Sequence, residues 1–141
     1  MNTGNRLGIA FGLSLFALRS VNSAGPVPGM KARPPQAVED CHDILLWLIP
    51  LLDKFPRNRR FTLGERMESR LLTVLEDLVD AAYRRDKSHS LRQANRNLEI
   101  CRHLWRLSHE LQLVSTRQYE HGSRLLLNLG KQIGGWLRVQ P

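Results

Sequence analysis

From Ala37 to the C-terminus, apolar residues recur at helical spacing in four consecutive blocks, with short breaks between them and no sustained period-two alternation. That pattern leaves no material for a sheet and specifies an all-α fold. The spacing predicts helices over about Val38–Lys54, Thr62–Arg85, Ser90–Gln112 and Ser115–Arg138. The second of these should bury Leu63, Met67, Leu71, Val74, Leu75, Leu78, Val79 and Ala82. Short connections make consecutive helices antiparallel neighbours, so the expected architecture is an antiparallel up-down-up-down four-helix bundle over residues 37–141. A chain of 141 residues has room for one such core.

The breaks carry their own chemistry. Pro56 cannot continue a helix and pushes Phe55 out of the α region, while Thr62 with Glu65 three residues on spells a capping box. The expectation is a short basic joint pinned by Phe55 and Phe61, with Arg57, Arg59 and Arg60 pointing outward. Ser115 and Gln118 spell a second capping box at the last helix. Pro50 falls on the polar side of the first helix and predicts a kink there.

The third and fourth helices have informative faces. On the third, Ala94, Leu98, Cys101, Trp105 and Ser108 form the apolar centre, and Leu91, Ile100, Leu104, Leu107 and Leu111 widen it to roughly 200°, where about 100° suffices for a helix packing on its own neighbours. The excess suggests a second interface, most simply with another copy of the chain. On the fourth, Gly122, Ser123, Gly130 and Gly134 lie on the apolar arc, where small residues permit close helix approach. Its opposite side carries Arg117, Arg124, Lys131 and Arg138 at intervals of seven, a stripe roughly 30 Å long at 1.5 Å per residue.

Charge adds to this picture. The chain has 21 Lys and Arg against 13 Asp and Glu, a net +8, which favours an anionic partner. Half of that excess lies before residue 37, where Arg6, Arg19, Lys31 and Arg33 face no acid. In the bundle, up-down topology sends the joint and Arg117 to one end and Arg84, Arg85, Lys87 and Arg138 to the other. With the stripe on the last helix, these would offer a polyanion a continuous track. Such cations act through phosphate contacts and counterion release, with no reason to expect base-specific readout.

The sequence offers no catalytic constellation: no Gly-rich phosphate loop, no nucleophile with a matching base, and no carboxylate pair on an apolar face. Glu76, Asp77 and Asp80 share a face with Arg66, Arg70 and Arg84 and read as solvated ion pairs. Trp47, Trp105 and Trp136 read as core. Cys41 and Cys101 read as buried free thiols, and the dispersed histidines supply no metal site, so neither metal nor cofactor is expected. Residues 1–36 are set apart as a non-domain extension. Arg6 precedes an apolar run from Leu7 to Leu18 and small residues around Ala24, the outline of a secretory signal and too short to span a bilayer. A translation start at Met30 is the other reading and fits a cytoplasmic protein; secretion requires that residues 1–24 act as a signal.

Three segments, "DKFPRNRRFTLGERM", "AAYRRDK" and "ANRNLEICRHLWRLSHELQLVSTRQYEHGSRLLLNLGKQIGGWLR", resemble the accessory variability determinant (Avd) proteins of diversity-generating retroelements over about residues 38–138. The first segment is the most specific. The resemblance implies a small basic four-helix bundle that forms a homopentameric barrel, binds RNA or DNA, and associates with the element's reverse transcriptase. It thereby implies a non-enzymatic role in mutagenic retrohoming, with no catalytic residue to carry over. The alternative is a four-helix protein of the type encoded in ribosomal RNA intervening sequences, or a structural oligomer with no nucleic-acid role.

Overall fold

The computed structural model describes residues 35–141. The signal-like run and the start at Met30 lie outside the described residues. Helix α1 spans Gln36–Leu52, α2 Glu65–Tyr83, α3 Ser88–Glu110 and α4 Thr116–Arg138, and a single α-turn Arg57–Arg59 followed by a π-turn Arg60–Gly64 leads directly into α2. Each helix packs on the next and α1 also packs on α4, giving an up-down-up-down four-helix bundle with α2 and α4 on a diagonal.

The core is the set of apolar stripes that the periodicity defines. Cys41, Ile44, Leu45 and Leu48 from α1 meet Met67, Leu71, Val74 and Leu78 from α2, Leu91, Leu98, Cys101 and Trp105 from α3, and Leu126, Leu129 and Ile133 from α4. Trp47 and Trp136 pack against this core, half-buried. The end of α2 departs from its expected face: Val79 is exposed and Ala82 only half-buried, while Ala81, one turn beyond Leu78, is fully buried.

The joint differs from its sequence reading. Helix α1 ends at Leu52, with Pro50 in its last turn, and only Asp53–Pro56 connect it to the next turn. Pro56 has the fixed φ that suits a helix start, and its carbonyl accepts from both Arg59 and Arg60 N–H at 2.8 Å. Helix therefore begins at Arg57, and Thr62 already lies inside it. The Thr62 hydroxyl donates back to the carbonyls of Asn58 at 3.0 Å and Arg59 at 3.3 Å, so no Thr62 cap forms.

The other ends are closed as their residue types dictate. Lys87 Nζ donates to the carbonyls of Ala81 at 2.8 Å and Arg84 at 2.6 Å, capping α2. After α3, Gln112 takes φ 61° while Leu113 N–H bonds Ser108 O and Gln112 N–H bonds His109 O, a Schellman turn. The Ser115 capping box of α4 forms as expected: Gln118 N–H donates to Ser115 Oγ at 3.0 Å and Ser115 N–H to Gln118 Oε1 at 2.9 Å.

Of the small residues on α4, Gly122 is the one that permits a close approach. A Cβ there would stand 2.6 Å from Cζ2 of Trp105, whereas at Gly134 it would meet nothing within 4 Å beyond its own helix among the described residues. Trp105 lies flat enough against the Gly122 backbone to donate its Nε1–H to Tyr119 O at 3.1 Å, and its ring meets Trp47 edge-on at 5.9 Å.

Candidate nucleic-acid interface

Arg57, Arg59 and Arg60 are all exposed, as the sequence indicates, but they sit on the first helical turns rather than on a loop. Phe61 is not an anchor. It is 57% exposed, and the guanidinium groups of Arg57 and Arg60 stand 6.0 Å and 5.6 Å from its ring centroid. Of the two expected anchors, Phe55 is the buried one.

The remaining expected cations divide by what they already bond. Arg84 pairs with Asp80 at 2.7 Å, and Lys87 is occupied as a helix cap. Arg85, Arg117, Arg124, Lys131 and Arg138 are exposed and form no ion pair among the described residues. The α4 stripe faces opposite to Leu126, Leu129 and Ile133, and so away from α2 across the diagonal. The joint and the stripe approach each other only at the end where α2 and α4 both begin. The joint arginines thus lie together on consecutive helical turns, and the stripe lies together along one side of α4.

A second basic feature lies between α2 and α3, where sequence reading placed only ion pairs. Arg70 Nη1 donates to Asn97 Oδ1 at 2.8 Å, and Asn97 Nδ2 donates to Gln93 O at 3.1 Å, so Arg70 is held by a neutral amide rather than a carboxylate. Arg66 and Arg96 form no ion pair among the described residues. With Phe61, Glu65, Ser69, Thr73 and Gln93, these arginines line an open groove of about 620 Å³. The signal for it was a set of polar residues on facing edges of two helices, which a one-helix-at-a-time reading does not join.

The acidic cluster beside the groove is partly satisfied. A hydrogen bond from the Ser90 hydroxyl, together with Arg84, holds the Asp80 carboxyl below its ordinary range. Burial, with Asp80 and Glu76 nearby, pushes the Asp77 carboxyl up. Cys41 and Cys101 are buried and unlinked, as expected, and burial pushes both thiols up to about 12. Among the described residues no group of three or more His, Cys, Asp or Glu is placed to hold a metal, and no helix is long and apolar enough to cross a membrane.

Large apolar side chains also stand exposed in stripes. Leu107 and Leu111 on α3 are each 42% exposed, and Leu72, Val79 and Tyr83 are exposed at intervals of seven and four on α2. The bundle therefore buries the centre of the wide α3 arc and leaves its flank open. A family model described as bAvd-like matches residues 37–140 of the chain. No curated protein matches it.

Proposed function

The chain belongs to the bAvd-like family, and from that membership we propose that it is a non-enzymatic accessory protein of a diversity-generating retroelement. In this reading it binds template nucleic acid and the element's reverse transcriptase and acts as a homopentamer in mutagenic retrohoming. The family match over nearly the whole described bundle carries the proposal. Exposed cations at the joint and along α4 support the nucleic-acid part, because none of them forms an ion pair among the described residues. The exposed flank of α3 supports assembly, since a stable monomer gains nothing from leaving Leu107 and Leu111 in water.

The test is co-purification of the chain with the reverse transcriptase encoded beside it, combined with RNA binding measured across a salt series. Removing one cation from a phosphate should reduce the slope of log affinity against log salt by roughly 0.7–0.9. The triple variant R57E/R59E/R60E should therefore bind more weakly and with a shallower slope. Salt-insensitive RNA binding, or no capture of the enzyme by the wild-type chain, refutes the reading.

A further inference from the structure

We propose that Phe61 is a stacking platform for an unpaired base at the mouth of the α2–α3 groove, so that the chain prefers single-stranded nucleic acid to duplex. The inference rests on the nucleic-acid reading above and specifies the form of the ligand.

Phe61 is a large apolar side chain that the fold leaves mostly in water, although residues on either side of it, Phe55 and Gly64, are buried. It sits in a π-turn, a backbone irregularity that recurs at functional sites. Two guanidinium groups stand 6.0 Å and 5.6 Å from its ring centroid, on exposed side chains that form no ion pair among the described residues and can take a phosphate. An aromatic face framed by cations is the arrangement that holds a base and its backbone together.

The groove extends the same chemistry. Arg66, Arg70 and Arg96 face a single carboxylate, Glu65, along its lining, and Ser69 and Gln93 offer neutral hydrogen-bonding groups. Asn97 orients Arg70 without neutralising it. The charge is complementary to a phosphate backbone entering beside Phe61. Duplex bases are already stacked and paired, so a duplex would reach the arginines and leave the ring unused. A single strand would use both.

The experiment is fluorescence anisotropy of the full chain with a short uridine-rich RNA strand and with an RNA duplex of equal length. F61A should weaken single-strand binding about tenfold, within the range for removal of one base stack, and leave duplex affinity and the salt slope unchanged. F61Y and F61W should restore the single-strand affinity. R66Q/R70Q/R96Q should weaken both forms and flatten the slope. The proposal is overturned if F61A binds both forms as wild type does, or weakens both equally, which would leave phosphate contact as the whole of recognition. It is equally overturned if F61A changes the oligomer mass by native mass spectrometry, or loses only the reverse transcriptase, since Phe61 would then be a protein contact. If the wild-type chain binds neither probe, the nucleic-acid reading fails with it.

Discussion

Gly122→Ala adds one methyl group to the molecule and tests how α3 and α4 are held together. The new Cβ would stand 2.6 Å from Trp105 Cζ2, 2.8 Å from Cε2 and 3.0 Å from Nε1. Those atoms belong to a rigid ring that is 2% exposed and fixed by Trp47 at one edge and by the Tyr119 carbonyl at its nitrogen, so no flexible end can yield. Either the helices separate or the indole pivots. Overpacking of this kind costs about 1–3 kcal/mol. Loss of the indole hydrogen bond adds about 1 kcal/mol, and the better helix propensity of alanine returns about the same. The net loss is about 1–3 kcal/mol, or roughly 5–15 °C in Tm for a domain of this size. The control is Gly134→Ala on the same helix, where a Cβ would meet no other element within 4 Å among the described residues and only the propensity gain of up to about 1 kcal/mol remains. Urea unfolding monitored by tryptophan fluorescence measures both. Equal stability of the two variants, or a Gly122→Ala protein at least as stable as wild type, would show that the ring does not lie against Gly122.

Ser115→Ala removes the side-chain acceptor of the Gln118 N–H, leaves the backbone N–H of residue 115 to donate to Gln118 Oε1, and should cost about 0.5–2 kcal/mol in the same unfolding assay, without altering RNA affinity. Cys41 and Cys101 should resist a thiol reagent in the native protein and react only on unfolding, as measured by absorbance of the released chromophore. Both folded thiols titrate at about 12 against 9.0 unfolded, so the folded state holds more protons between those values. Their contribution to stability is fully present below pH 9 and should be lost as pH rises toward 12, which a series of denaturation midpoints in that range would follow.

The parts of the fold that one helix specifies by itself were legible in the sequence. Helical spacing of the apolar residues located the core of all four helices, and Ser115 with Gln118 located the start of α4. Thr62 with Glu65 has the same residue types but a different outcome, because Pro56 starts the helix six residues earlier and no unsatisfied N–H remains for Thr62 to cap. The groove was illegible for a geometric reason. A shared face does not put Arg66 or Arg70 within reach of Glu76 or Asp77, since side chains meet at spacings of three or four and these are separated by six to eleven. Arg84 and Asp80 are four apart, and they pair. Arg70 instead meets Asn97, 27 residues distant, and only the packing of α3 on α2 brings that partner close.

This division bears on how one small bundle could serve as adaptor and oligomer together. An assembly surface must be apolar enough to exclude water, and a polyanion surface must keep its cations solvated and unpaired; one patch cannot satisfy both demands. On α3 the residues that separate these demands lie along a single line. Gln93 and Arg96 border the groove in the first half of the helix, while Ile100, Leu104, Leu107 and Leu111 follow at intervals of four, three and four toward its C-terminal end. Along this one line, polar character gives way to apolar toward the C-terminal end of the helix. A neighbouring copy seated on the C-terminal half would cover Leu107 and Leu111 and leave Arg96 at the rim, where its charge stays in water. The α4 stripe, turned away from α2, is likewise not needed to bury that flank. The width of the α3 arc would therefore let the proposed oligomer form its interface without drawing on the arginines that its proposed ligand requires.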